Sequence, residues 1–297
     1  MNFKLIRIAI PMALALSSLH QSAAQTPTPR EEYAELNGVR LWFKDTGGKG
    51  TPVVFLHAAT GVALNWEYQI PAVTKAGYRF IAYDRRGRGK SVITDAASQS
   101  GTDVDDLHAL MKYLGVDQFH LIGTAAGGGV AVDYVLSFPE QVRSLVIANS
   151  LAGVRDESYL ELGRRLRPSQ FAALPPELRE LGPSYRAANP EGARRWVELE
   201  RQSRQAGTQA VATKSRNQIT LSQLETIRAP TLLMTGGADL YMPPPVLRML
   251  ASHIKNAKVE IIPEVGHSAY WEQPEIFNDV ILRHLNKQRT TRLRAKR

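Results

Sequence analysis

The chain contains no cysteine. That excludes disulfide support for the fold, a thiolate nucleophile and any zinc site built on cysteine ligands. No apolar run approaches the ~20 residues of a spanning helix, so no transmembrane anchor is expected after leader cleavage. H-E-x-x-H and comparable metal spacings are missing as well. Neither a metal nor an organic cofactor is therefore expected. What remains is ordinary globular composition, 43% hydrophobic and 22% charged over 297 residues. That length suits one large domain, or a domain with an insertion.

The formal charge of +9 suggests a nucleic-acid partner until it is located. Two of the charges, Lys4 and Arg7, lie at the amino end, and six lie between Lys287 and Arg297, a stretch without acids. The body is then left with about +1, which is no basis for a nucleic-acid groove. Lys4 and Arg7 precede the short apolar run Ile8 to Leu16, and Ser22-Ala23-Ala24 supplies small residues for a cleavage site. Residues 1–24 read as a secretory signal peptide, with a mature chain starting near Gln25 and export to the periplasm or the medium. Residues 287–297 read as a basic tail, either a solvated terminus or a weak contact to an anionic envelope surface.

Strand-length apolar runs alternate with helical patterns along the body. The runs are Leu41–Phe43, Val53–Leu56, Phe80–Tyr83, Phe119–Ile122, Leu145–Ala148, Thr231–Met234 and Val259–Ile262. Helix patterns fall at Tyr68–Lys75, Asp103–Leu114, Gly128–Ser137, Pro245–Ile254 and Pro274–Leu285, and Thr102 with Asp105 resembles a capping-box start. Such alternation predicts a mainly parallel sheet covered on both faces. It lapses over 151–228, where Arg, Glu and Pro/Gly punctuation replace strand patterns. The expected division is a first α/β part over 25–150, a helical lid over 151–228 and a second α/β part over 229–286.

Five short stations carry chemistry. Val53-Val54-Phe55-Leu56-His57 is a strand that ends in a histidine. Tyr83-Asp84-Arg85-Arg86-Gly87-Arg88-Gly89-Lys90-Ser91 is a polar, glycine-bearing loop. Gly123-Thr124-Ala125-Ala126-Gly127 has the outline of G-x-S-x-G, the strand-to-helix elbow that presents a nucleophilic serine. Gly236-Gly237-Ala238-Asp239 closes a strand, and Gly266-His267 precedes Glu272-Gln273-Pro274. In this order the stations resemble the α/β-hydrolase superfamily, over nearly all of the mature chain. The resemblance implies a mainly parallel eight-stranded sheet flanked by helices. It also implies His267 as general base, Asp239 as its orienting carboxylate, and an oxyanion hole of the Ala58 and Ala126 backbone N–H groups. His57, Trp66, Tyr241, Tyr270 and Trp271 fall in loops near the expected site and are candidate substrate-lining residues. Asp84 to Ser91 also approaches the phosphate-loop pattern G-x-x-x-x-G-K-[ST]. Asp84 replaces its first glycine, however, and no helix pattern follows, so no nucleotide site is expected.

The departure from the family pattern is at the nucleophile itself. Ala125 stands where the serine belongs, and a methyl group has neither a proton to lose nor a lone pair. Three readings are open. An active, serine-free enzyme would act on a small organic ester, lactone or related carbonyl compound, or run lyase or oxygenase chemistry on the same frame. A pseudoenzyme would bind a small ligand without turning it over. An engineered Ser-to-Ala knockout of a serine esterase or lactonase is the third. Each has a small molecule as its partner, and the oligomeric state is left open.

Overall fold

The computed structural model describes residues 29–36, 38–95, 101–204, 214–255 and 257–295. The leader expected over 1–24, and the tail's side chains from residue 289 onward, lie outside the described residues. Nine strands form one mixed sheet: β1 Arg30–Leu36, β2 Val39–Asp45, β3 Pro52–Leu56, β4 Arg79–Tyr83, β5 Val92–Ile93, β6 Phe119–Thr124, β7 Val142–Ala148, β8 Thr231–Gly236 and β9 Lys258–Ile262. Their order is β1-β2-β4-β3-β6-β7-β8-β9, with the two-residue β5 paired beside β2. From β4 to β9 every neighbouring pair is parallel, whereas β2 meets β1, β4 and β5 antiparallel.

The sheet is therefore mixed and nine-stranded, where eight strands were expected. The two strands outside the expected runs explain themselves. Strand β1 is a charged edge whose residues are mostly exposed, so it has no apolar run to show. Strand β5 is too short to carry an alternation.

The central strands are apolar without interruption because both faces are covered. Successive residues point to opposite sides of a strand. Thus Val54, Leu56, Leu121, Leu145 and Ile147 join one core cluster, while Val53, Phe55, Ile122, Val146 and Ala148 join the other. Among the described residues, eleven α-helices accompany the strands. On the first face lie α2 (Asp103–Tyr113), α3 (Ala126–Ser137) and α9 (Pro244–Ser252); on the second lie α1 (Gln69–Lys75) and α11 (Pro274–Ala295). Thr102 caps α2 by accepting from the Asp105 N–H at 3.0 Å.

Between β7 and β8 the chain leaves the sheet. It forms α4 (Glu157–Arg165), α5 (Pro176–Glu180), α6 (Pro183–Ala188), α7 (Pro190–Gln202) and α8 (Leu221–Leu224). Prolines open α5, α6 and α7 at the first or second helical position, where a missing N–H costs nothing. Trp196 and Leu199 of α7 are buried in the second core cluster, so this segment is packed onto the body. The remaining helix, α10 (Ala269–Glu272), follows β9 closely.

Candidate functional site

Parallel strands deliver their following loops to one edge of the sheet, so the ends of β3, β4, β6, β7, β8 and β9 converge there. The sharpest turn is at the end of β6. Ala125 sits between β6 and α3 with φ 49° and ψ −117°, a left-handed conformation that strains a residue with a Cβ. Three hydrogen bonds hold it. Its N–H donates to the Ala148 carbonyl at 3.0 Å, and its own carbonyl accepts from the Gly128 N–H at 3.0 Å and from the Ser150 hydroxyl. Gly127 shows why this turn needs small residues: a Cβ there would lie 2.2 Å from the Leu56 carbonyl oxygen and 2.7 Å from that of His57.

His267 and Asp239 meet at the same edge. The imidazole Nδ1 lies 2.9 and 2.8 Å from the two carboxylate oxygens, and both side chains are buried. Asp239 is otherwise saturated. One oxygen accepts from the Tyr241 and Met242 N–H groups at 2.8 and 2.9 Å, the other from Asn149 Nδ2 and Thr235 Oγ1, each at 3.0 Å. Burial works against the carboxylate, but His267, Asn149 and the Met242 N–H outweigh it and hold Asp239 below the ordinary carboxylate range. Burial likewise works against the imidazolium. The Asp239 charge and hydrogen bond, with Glu180 and Glu272 nearby, still keep His267 above its ordinary value. Nδ1 carries the proton donated to Asp239, which leaves the Nε2 lone pair for proton transfer.

Ala58 and Ala126, the expected oxyanion donors, line the same cavity as Ala125 and His267. Neither N–H donates a hydrogen bond within the described residues. His57 has a different task. Its Nε2 accepts from the Arg85 N–H at 2.9 Å and its Nδ1 donates to the Ala58 carbonyl at 2.7 Å. Burial, with the Arg85 charge, keeps this imidazole well below its ordinary value. It is a neutral brace that joins the loop after β3 to the loop after β4. Asp84 is a second brace, accepting from the Ala63 and Lys90 N–H groups at 2.7 and 2.8 Å; burial raises it to about 6. Its carboxylate fills the ground where a phosphate loop would cradle an anion.

The cavity measures about 550 Å³. Of the five candidate substrate-lining residues, only Tyr241 lines it, with its ring centroid 4.4 Å from that of His267. His57, Trp66, Tyr270 and Trp271 do not. Trp66 stacks between Phe55 at 5.0 Å and Tyr270 at 4.7 Å in the second core cluster, and Trp271 packs on Tyr68 at 5.0 Å. Trp66 in the loop after β3 and Tyr270 and Trp271 on α10 all belong to the second core cluster.

Four residues carry roles that the sequence did not assign, although Glu272 falls within the histidine station. Asn149, in a left-handed conformation that asparagine tolerates, fastens Asp239 to the Gly266 carbonyl. Ser150 lines the cavity, but its hydroxyl donates to the Ala125 carbonyl and accepts from the Ala152 N–H, so it is a fastening and has no proton to offer. Glu272 accepts from the Gly182, Gly266 and Ser268 N–H groups and clamps the histidine loop. Glu180, at the end of α5, brings a carboxyl group into the cavity. Thr124 and Ser268, the hydroxyl residues next to Ala125 and His267 in the chain, do not line the cavity.

A family model described as the alpha/beta hydrolase fold matches residues 51–274. The chain is 29% identical to a 2-hydroxy-6-oxononadienedioate/2-hydroxy-6-oxononatrienedioate hydrolase of Burkholderia vietnamiensis, over 84% of this chain and 92% of that protein. Among solved structures it resembles a thermophilic esterase from Thermogutta terrifontis, with a TM-score of 0.70 and 24% identity over 87% of this chain and 99% of the esterase. An enol-lactonase from Burkholderia xenovorans superposes with a TM-score of 0.68 and 20% identity, over 86% of this chain and all of that one.

Proposed function

The chain belongs to the α/β-hydrolase fold family, and from that premise we propose that it hydrolyses a small organic ester, lactone or related carbonyl compound without a serine nucleophile. The observation that carries this reading is the buried His267–Asp239 pair, complete and tightly held, on a cavity that is also lined by Ala125, which has no hydroxyl. The relatives named above, a dienedioate hydrolase and an enol-lactonase, support a small carbonyl-bearing substrate.

The reaction then runs through water. His267 Nε2 takes a proton from a water molecule as its oxygen bonds to the substrate carbonyl carbon. The carbonyl π electrons move onto oxygen, and that oxyanion rests against the Ala58 and Ala126 N–H groups. Collapse of the tetrahedral intermediate re-forms the carbonyl and breaks the C–O bond to the leaving group, which departs with a proton. Asp239 keeps the imidazole in the productive tautomer and stabilises its charged form. Helices α4 to α8 act as the lid over this cavity, and the leader directs the protein to the periplasm or the medium.

A panel of acyl esters and lactones tests the proposal. The unsubstituted chain is expected to turn over at least one member, and His267→Ala to lower that rate by roughly 10²-fold or more. The reading is overturned if the unsubstituted chain is inert while Ala125→Ser hydrolyses the panel. Tight binding with no turnover in either form makes the protein a small-ligand binder instead.

A further inference from the structure

Among the described residues, Glu180 is the one acid of the insertion that lines the cavity. It is only 5% exposed, yet it lines the cavity together with Ala58, Ala125, Ala126 and His267. One carboxyl oxygen accepts from Thr60 Oγ1 at 3.3 Å. The other, Oε2, is fully buried and has no hydrogen-bond partner among the described residues. A buried, unpartnered polar oxygen is costly, and it persists where something else completes it. A neutral carboxyl bears that cost far better than a carboxylate does.

The position of this carboxyl is firmly set. The Glu180 carbonyl accepts the His267 N–H at 2.7 Å, so the end of α5 is hydrogen-bonded to the histidine loop. Two residues on, Gly182 donates to Glu272, the same carboxylate that receives the Gly266 N–H. A Cβ on Gly266 would lie 2.4 Å from the Gly182 nitrogen and 3.0 Å from the Glu180 carbonyl oxygen, so the two segments touch backbone to backbone. Thr60, the side chain that holds the other carboxyl oxygen, belongs to the loop of the Ala58 oxyanion donor. Glu180 thus spans from the general base to the oxyanion loop.

We infer that Glu180 is a catalytic general acid that delivers the proton to the leaving oxygen of the substrate, in partnership with His267 as base. This rests on the serine-free hydrolysis proposed above. In the step, the C–O bond breaks with its electron pair going to the leaving oxygen, and the Glu180 carboxyl proton passes to that oxygen. Water's proton is by then on His267. Exchange with solvent returns His267 to its neutral form and Glu180 to its protonated form. A buried carboxyl suits this role. Burial favours the neutral acid and is the largest influence; His267, Thr60 and Arg179 oppose it, and the Asp239 charge reinforces it. The net effect raises Glu180 above the ordinary carboxylate range. Tyr241 and Tyr270 are the other titratable groups that feel its charge.

Glu180→Gln keeps the size and the Thr60 contact but has no proton to transfer. The test compares an alkyl ester with the p-nitrophenyl ester of the same acid. An alkoxide needs protonation to leave, whereas nitrophenolate leaves unaided. With Glu180→Gln, kcat on the alkyl ester is expected to fall on the order of 10²-fold, and on the nitrophenyl ester by less than about 3-fold. Equal losses on both esters, or none on either, overturn the role of Glu180 while leaving the serine-free reading intact. Inertness of the unsubstituted chain toward both overturns the two together. An infrared titration of the unsubstituted protein against Glu180→Gln needs no substrate. A carboxylic-acid carbonyl band assigned to Glu180 is expected to survive above the ordinary carboxylate range, and its loss within that range contradicts the acid.

Discussion

His267 and Asp239 form an acid–base pair whose two partners depart from their ordinary values in opposite directions, and the consequences can be read with their signs. Asp239 is held low, so its contribution to stability is present above about pH 4 and is lost as pH falls through its lowered value. His267 is held high, so its contribution is complete below about pH 6.5 and is lost as pH rises through its raised value. As a base it must be neutral, so the acid limb of kcat/KM is expected above pH ~6.5. In Asp239→Asn that limb should move toward acid, and the rate should drop by roughly 10²–10⁴-fold, since the asparagine can no longer fix the tautomer. A pH–rate profile of both forms checks this; a limb that stays in place means His267 is not the titrating base. The pair was legible in the sequence because Gly-Asp and Gly-His stations in family order name their residues. Glu180 was not legible, for it lies among nine acids of a segment without a motif, and even burial does not single it out, since Glu200 is buried too; its place on the cavity wall does.

At the scale of elements, the strand-to-helix elbow is the part whose geometry the sequence describes best. Glycines flanking Ala125 announce a turn without room, and the structure supplies the measure, with the start of α3 pressed against the end of β3. Gly127→Ala is accordingly expected to destabilise the fold by about 1–3 kcal/mol, because the new Cβ meets backbone that has no rotamer to yield. Denaturant melts with an unchanged m-value would report it; an unaffected midpoint would mean the elbow is looser than drawn. Side-chain direction was much less legible. Trp66, Tyr270 and Trp271 occupy loops and a short helix beside the site, yet they are buried core, since position in the chain does not say which way a ring turns. Edge strand β1 escaped for the opposite reason: its charged residues make a strand only because β2 pairs along its whole length.

Across the whole molecule, the pattern of parallel strands brings six loops to one edge, and a packed helical segment adds a seventh contribution from α5. The resulting site brings together the His267–Asp239 pair, two uncommitted N–H groups, a buried glutamate and the methyl group of Ala125. That arrangement is suited to attack by water and leaves no group at position 125 to carry an acyl chain. The central claim can therefore be read as a mass. Intact-protein mass spectrometry on samples acid-quenched during steady-state turnover of an active ester is predicted to show only the unmodified chain while product accumulates. A stoichiometric acyl adduct on any serine or threonine, Ser150 included, would contradict the account.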